Sequence, residues 1–534
     1  MPAGTRARGR PLTRDRQAVT VYHCPDRAPV PRQQRQERLI NPITRTTRLL
    51  AALALVSAAG IAVGGPFVPA GDLALRHDIQ RLADHGIITG AVTTWPLAWG
   101  PVLADIRRYD GTADLPPDVR DAITRIEVRA RWETRTNEVT FNAEASVAES
   151  PTRIRGYQHT PREQGEIGLG FNYTGDLFAV SLNGQAVADA SDGEEFRADG
   201  SFVGVVLGNY AFTANTLERW WGPGWDGSLI LGNNARPIPS VSIDRMHTDA
   251  FETRWLSWLG PWDLSVHFGR MESDRYVPEA RFFGMRFNFR PIPSLEIGLT
   301  RSAQWCGEGR PCGLDTFWNL LIGRDNRGGE GIDVDNEPGN QLAGVDWRWS
   351  RLFGSPLAFY GQAIGEDEAG GFPSRYLGQL GIEGTGMISG RWSYRWFGEL
   401  AETKCDVLEP NSGFDCAYNH SIYQTGYRYR GRSVGHGADN DARLLSAGVV
   451  LVDTDETQWQ ALVRYGALNR GGNPDPANTL TPTRQDIASL DLVHVRMFKY
   501  GRIDIGLGME RAEDDVSGQT SSDFRGYLQW RSAY

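Results

Sequence analysis

From about Val139 onward the apolar residues recur at every second position, and the runs they form are separated by spacers that are alternately short and long. No other feature restricts the possible folds as much. In Arg281–Arg290, Phe283, Met285, Phe287 and Phe289 alternate with Phe282, Gly284, Arg286, Asn288 and Arg290. Val345, Trp347 and Trp349 alternate with Gly344, Asp346 and Arg348, and Ile503, Ile505, Leu507 and Met509 alternate with Arg502, Asp504, Gly506 and Gly508. A period of two places the two sets on opposite faces of a strand. Short turns fall near 174–176, 207–210, 260–262, 291–294, 353–356, 387–390, 453–456 and 499–501. Between them lie long, polar, Gly- and Asp-rich segments, the largest at 215–248, 305–341 and 401–442. The scheme gives eighteen strands, eight short turns and nine long loops.

A soluble sandwich has no reason to trim one end of every hairpin and elaborate the other. An outer-membrane barrel does: its turns are short on the periplasmic side and its loops long outside. An even strand number and an apolar, aromatic face agree, and closure removes the exposed edges of a long sheet. The expected fold is an all-β transmembrane barrel of about 18 antiparallel strands over 137–534. The last strand, Phe524–Tyr534, ends on an aromatic and is similar to the signal read by the outer-membrane assembly machinery. A soluble secreted all-β protein is the alternative.

The segments before the barrel follow other periods. Residues 1–66 carry 11 Arg against 3 Asp/Glu, a net of +8, so the overall −9 leaves −17 on the rest. Residues 1–44 form a basic, Pro-rich extension expected to be disordered, and a start codon downstream of Met1 would explain it. In 45–66 a basic flank, the apolar run Leu49–Val63 and small residues have the form of a secretory signal peptide. Residues 67–136 carry three stripes at helical spacing: Leu75, Ile79, Leu82 and Ala83; Trp99, Val102, Leu103 and Ile106; Val119, Ala122, Ile123 and Ile126. Three such helices make a small bundle. With an even strand count, both barrel termini and this bundle are expected in the periplasm. The acidic body argues against nucleic acid, which needs clustered cations. Outside the extension the cysteines form two close pairs, Cys306 with Cys312 and Cys405 with Cys416, expected as loop-stapling disulfides in an oxidising compartment. Their spacing is not that of a zinc site, and no metal or cofactor is expected.

Three long loops mix aromatics with Asn, Asp and Arg. The first is Glu218–Ser240, E-R-W-W-G-P-G-W-D-G-S-L-I-L-G-N-N-A-R-P-I-P-S; the second is Phe317–Asn326, F-W-N-L-L-I-G-R-D-N; the third is Tyr418–Ala442. Sugars are held by aromatic rings under their C–H faces and by hydrogen bonds to amide, carboxylate and guanidinium groups. Trp220, Trp221 and Trp225 are candidates for stacking, and Asp226, Asn233, Asn234 and Arg236 for hydrogen bonding. Arg324, Asp325, Tyr427, Tyr429, Arg430 and His436 complete the candidate set. Two uses of the first loop compete: contact with polymer at the surface, or folding inward to seal the lumen. Glu218 with Asp226 and His436 with Asp439 or Asp441 are weak catalytic pairings, since such groups converge from distant segments. No catalytic residue is assigned.

These stretches resemble the Wzi family of capsule-assembly outer-membrane proteins. The resemblance is carried by G-D-L-A-L-R-H-D-I-Q-R-L-A-D-H-G-I-I (71–88), T-T-W-P-L-A-W-G (93–100), the whole of 218–240, G-R-D-N (323–326) and G-Y-R-Y-R-G-R-S-V-G-H (426–436). The W-W-G-P-G-W-D-G run is long enough to be specific. The basic extension and the final Tyr, where a Phe is more usual, are departures. The resemblance implies an eighteen-stranded barrel closed at its periplasmic end by a helical bundle. It also implies a non-enzymatic, lectin-like protein that holds exported capsular polysaccharide or exopolysaccharide at the cell surface. Implied partners are that polysaccharide, outer-membrane lipid and lipopolysaccharide, the assembly machinery, and polysaccharide export proteins. A porin-like diffusion channel is the alternative, with an outer-membrane hydrolase behind it.

Overall fold

A computed structural model describes residues 66–111, 115–321, 339–369, 372–405, 407, 413–472 and 478–532. The extension and signal segment, Arg324, Asp325 and Tyr534 lie outside the described residues. Eighteen antiparallel strands close into one barrel. They are β1 (Val139–Ala148), β2 (Gly165–Thr174), β3 (Phe178–Ala188), β4 (Phe202–Leu207), β5 (Tyr210–Asn215), β6 (Ser240–Arg245), β7 (Trp262–Arg270), β8 (Arg281–Ile292) and β9 (Leu295–Trp305). The second half comprises β10 (Gly339–Ser350), β11 (Leu357–Ala369), β12 (Phe372–Ile388), β13 (Trp392–Glu402), β14 (Arg443–Val452), β15 (Gln458–Leu468), β16 (Gln485–Phe498), β17 (Gly501–Asp514) and β18 (Thr520–Ser532). Each strand pairs with the next in sequence, and β18 returns to β1 from Tyr527 opposite Ala148 to Arg531 opposite Glu144.

The alternation of the sequence becomes the two sides of this wall. On β17, Leu507 is 64% exposed on the outside while Asp504 is 1% exposed on the inside. Trp459, Val463 and Tyr465 likewise face out from β15, while Gln460 and Arg464 are buried within. The outer face is therefore apolar and the inner one polar and charged, as lipid and a filled lumen require.

Three details differ from the expected strand plan. The segment 215–248 is not loop throughout: its end forms β6, because Val241 and Ile243 alternate with Ser242 and Asp244 over a run too short to stand out beside the Gly- and Pro-rich stretch before it. The short turn expected at 260–262 is instead the end of a longer connection, 246–261, which carries a 3-10 turn at Ser257–Leu259. The connection between β11 and β12, expected as a long loop, is a paired hairpin in which Ala369 stands opposite Phe372.

Helices α1 (Leu73–Asp84), α2 (Trp99–Arg108) and α3 (Pro117–Glu133) precede the barrel. Asp72 caps α1, its side chain accepting from the backbone N–H of Ala74 and Leu75, both at 3.1 Å. The first helix is bound to the third by Arg125 on Asp78 and Arg129 on Asp72, each 2.6 Å. Trp99 closes the group by donating to Glu133 at 3.0 Å. The helices then meet the inner wall at its short-turn end. Arg348 of β10 forks onto Asp84 at 2.6 and 2.9 Å and also reaches Glu383 of β12. Arg290 of β8 donates to the carbonyls of Ala83, Ile88 and Gly90, and Glu296 of β9 accepts from the N–H groups of Val92 and Thr93.

Arg348 is the sharpest test of this packing. Replacing it with Ala leaves Asp84 and Glu383 buried without their fork. Removing one member of a buried pair costs about 3–5 kcal/mol. Arg348→Ala is expected to lower the temperature at which the barrel loses its compact mobility on unboiled gels, while Arg391→Ala, at a pair whose Arg is 59% exposed, is expected to leave it unchanged.

Candidate functional site

The Trp-rich loop runs from β5 to the adjacent strand β6 and folds into the lumen. The expected surface role of Trp220, Trp221 and Trp225 is therefore corrected: all three are at most 2% exposed. Trp220 and Trp221 form a two-residue antiparallel pairing with Trp95 and Thr94. Tyr157 stands between the indoles of Trp95 and Trp220, its ring 5.5 Å from one and 5.3 Å from the other, edge-on in both cases. The Arg76 guanidinium of α1 lies 4.4 Å from the Tyr157 ring, 4.3 Å from Trp225 and 5.7 Å from Trp220, and donates to the carbonyl of Pro223 at 2.8 Å. A desolvated cation over aromatic faces contributes about 2 kcal/mol. Three aromatics in a loop are thus explained by one buried cation and by packing.

The polar residues of the loop are equally committed. Asp226 takes a bidentate contact from Arg464 of β15, with a closest approach of 2.6 Å, and accepts from the Ser446 hydroxyl at 2.5 Å. Burial alone would raise its carboxyl, but Arg464 and Ser446 hold it below the ordinary range. Glu399 of β13 accepts from the backbone N–H groups of Trp225, Asp226 and Gly227. Asn233 donates to the carbonyl of Tyr157 at 2.9 Å, and Asn234 to that of Ser433 at 3.0 Å. Residues 413–442 close over them. Tyr418 donates to the Leu229 carbonyl and Tyr427 to that of Ile230, at 2.7 and 2.8 Å. His436 packs against Gly227, where a Cβ would collide with its imidazole. Its Nδ1 accepts from the Ala438 N–H at 3.1 Å. Asp226, Asn233, Asn234, Tyr427 and His436 are therefore also moved from the candidate sugar surface to the interior.

The catalytic pairings do not form. Glu218 is tied to Arg162 at 2.9 Å and Asp226 to Arg464. Asp439 is bound by Arg428 at 2.7 Å, and Asp441 accepts from the Asp415 N–H at 2.8 Å. A cavity of ≈ 70 Å³ remains between the loop and strands β14–β18, lined by Tyr157, Trp225, Asp226, Arg464 and Tyr527. That holds a handful of waters, not a polymer.

What is left at the long-loop rim is a different group. Arg236 forks onto Asp199 at 2.8 and 2.9 Å and reaches Asp192 at 2.7 Å. Arg430 contacts Glu194 at 2.8 Å and lies 5.6 Å from the Tyr429 ring, which is buried beneath it. Phe196, 79% exposed, follows Asp192 and Glu194 in a two-residue strand, Phe196–Arg197, that pairs with the long-loop end of β3 opposite Ala186 and Gln185; Tyr276, 62% exposed, stands on the loop 271–280, tied to the third through Thr425. Of the candidate set the structure thus brings Arg236, Tyr429 and Arg430 together. Phe196 and Tyr276 were missed because single aromatics in ordinary polar loops give no signal. Two staples brace this end: Cys306–Cys312 and Cys405–Cys416, with Cα atoms 4.6 and 6.0 Å apart.

Comparison with known proteins gives concordant findings. Residues 134–523 match the model of the family described as capsule assembly protein Wzi. A Klebsiella pneumoniae protein described as an uncharacterized 55.8 kDa protein in the cps region is 32% identical over 429 residues, which cover 80% of this chain and 82% of the relative. A solved Escherichia coli structure is similar with a TM-score of 0.76 and 28% identity, covering 89% of this chain and 100% of that one. It is described as Wzi, an outer-membrane protein involved in group 1 capsule assembly and a carbohydrate-binding β-barrel.

Two outcomes follow from the buried loop. Trp220→Ala/Trp221→Ala removes two fully packed indoles, each worth roughly 3–5 kcal/mol when truncated. The variant is expected to melt earlier and to show bursts of current in planar bilayers, with no large steady conductance expected from the wild type. The second concerns pH. Burial is the main reason the His436 imidazole falls to about 4, with Asp226 pulling up and Arg464 down. The unfolded chain takes up this proton near pH 6.5 and the native state only near 4, so stability is lost as pH falls between those values, by up to about 3 kcal/mol. His436→Gln is expected to flatten the melting temperature across that window.

Proposed function

The chain belongs to the capsule assembly protein Wzi family and is an outer-membrane β-barrel, and from that premise we propose that it is a carbohydrate-binding protein that holds exported capsular polysaccharide at the cell surface. The observation that carries the placement of the contact is the filled lumen. With the Trp-rich loop turned inward, the polymer meets the rim of the long loops instead. There Phe196 and Tyr276 offer apolar ring faces, and the Arg430–Glu194 pair offers adjacent donors and acceptors beside the largely buried Arg236–Asp199 fork. Mixed donor–acceptor pairs suit hydroxyls, and the guanidiniums suit uronic acids. Stacking on an exposed ring contributes about 0.5–1.5 kcal/mol beyond area burial, so several such contacts along a polymer suffice for retention through multivalency.

The long loops face outward and the helices α1–α3 face the periplasm on this reading, since short turns mark the periplasmic end of such barrels. We place the chain as a holder rather than an enzyme: the carboxylates that could serve as an acid–base pair are each bound to an arginine inside the wall. A diffusion channel is not favoured, because helices and two loops occupy the lumen.

The test uses Phe196→Ala/Tyr276→Ala and Arg430→Ala/Glu194→Ala in cells that make the polysaccharide. Polymer is expected to move from the cell surface to the medium, with at least a fivefold loss of binding by purified protein and an unchanged melting temperature. Wild-type retention by both folded variants would remove the rim from consideration.

A further inference from the structure

We propose that the outer wall of the barrel beside a short surface helix is a binding site for lipopolysaccharide, the acylated and phosphorylated saccharide of the outer leaflet. The helix, α4 (Leu314–Leu321), belongs to the loop between β9 and β10. It does not enter the lumen. Phe317 packs on Phe268 at 5.7 Å, Phe283 at 5.3 Å and Trp305 at 4.9 Å, ring centre to ring centre. Those three side chains point outward, since their strand neighbours His267, Phe282 and Gln304 are the ones buried toward the lumen. Leu320 closes over Ala303 on the same wall, and outward-facing Arg301 donates to the Leu320 carbonyl at 2.7 Å, fixing the end of the helix. The Cys306–Cys312 staple holds the chain between Trp305 and the helix.

A helix in that place lies where lipid would otherwise touch the wall. Its far side carries Leu314, 86% exposed, and Trp318, 58% exposed. An apolar residue and an indole on such a ledge suit the boundary between acyl chains and headgroups. The ledge is continuous with the lipid-facing band of Phe268 and Leu299. Immediately above it on the same outward face are two guanidiniums. Arg270 is two residues beyond Phe268 and is ion-paired with the half-exposed Glu279, so a phosphate there takes the place of that carboxylate; Arg281 is two residues before Phe283, and the two arginines stand opposite each other in the β7–β8 register. Two residues along a strand is about 7 Å. Acyl chains on the ledge thus bring a sugar-linked phosphate within reach of a pair of arginines, the side chain best shaped to bind it.

The inference rests on the orientation proposed above, with the long loops outside. It is tested by placing p-benzoylphenylalanine at Trp318 in living cells and irradiating. A lipopolysaccharide adduct is expected, recognised by antibody and by mass. Arg270→Glu/Arg281→Glu is expected to reduce it at least threefold with unchanged compact mobility on unboiled gels. The same photoreactive residue at Leu507, in the lipid-facing band of β17, serves as control for lipid access. Labelling of lipid at 507 with none at 318 overturns the site, as does an adduct to a second protein chain. A phospholipid adduct alone overturns both the ligand and the orientation. An adduct indifferent to the two arginines overturns the phosphate contact. Polysaccharide retention, measured in the same strains, separates these outcomes from failure of the proposed function.

Discussion

An eighteen-stranded wall encloses more space than its own side chains can fill, and half of those side chains point into it. Everything else in this structure answers that constraint. The inner face presents Arg286, Asp346, Arg348, Glu383, Arg395, Glu399 and Arg464, all buried. Buried charges need partners placed to within a few tenths of an ångström. Some pair across the wall, as Arg286 does with Asp346 at 2.9 Å on its second arm. Others complete their partners with chain brought in from elsewhere. Arg464 needs Asp226, Arg348 needs Asp84, and Glu399 needs the N–H groups at 225–227. Wall and contents are thus one electrostatic unit, and neither is stable in its present form without the other.

The contents enter from both ends and meet at Arg76. This arginine comes from α1, which packs at the short-turn end, yet its guanidinium sits among Tyr157, Trp220 and Trp225 of segments that come from the long-loop end. The arrangement ties the helical segment to the loops through a desolvated cation, beside the backbone pairing of Thr94 and Trp95 with Trp221 and Trp220. It also accounts for the composition of the Trp-rich loop. Glycine is needed at 227 because His436 stands against it, and at 224 because the Gly227 carbonyl does. Tryptophan suits 225 because its indole N–H reaches Glu383 while its face meets Arg76 and Phe397.

How much of this was legible in the sequence divides along range of interaction. The barrel was, because a period of two is a local property that each strand repeats, and the short–long alternation of spacers repeats it again. The three helices were legible for the same reason, in the stripes at 75–83, 99–106 and 119–126. Strand β6 was not, since six alternating residues give too little signal next to Pro237 and Pro239. Helix α4 was not, since eight residues hold barely two turns, and its packing side is defined by outward aromatics on three strands. The loop residues failed differently. Their chemistry was read correctly as aromatic rings beside amides and charges, but the same chemistry serves a sugar and a protein interior. The partners that decide between them, Arg76, Glu399 and Arg464, lie about 150 to 240 residues away in the chain.

The most distinctive stretch of a sequence need not be the part that touches the ligand. Residues 218–240 are distinctive because nearly every side chain has one specific partner inside the wall, and such a packing problem has few solutions. The rim is under a looser demand. Phe196 and Tyr276 need only be apolar and exposed, and Arg430 and Glu194 need only be paired at the edge of solvent, where such pairs contribute little to stability. On the proposed reading, loose demand permits the rim to follow the chemistry of whichever polymer the cell exports, while the packed lumen holds the loops that carry it in one place. The division also explains why the rigid motif and the two disulfides occur at the same end. A polymer held by several weak contacts is retained only if those contacts keep their spacing, and the buried loop together with the staples fixes that spacing from below.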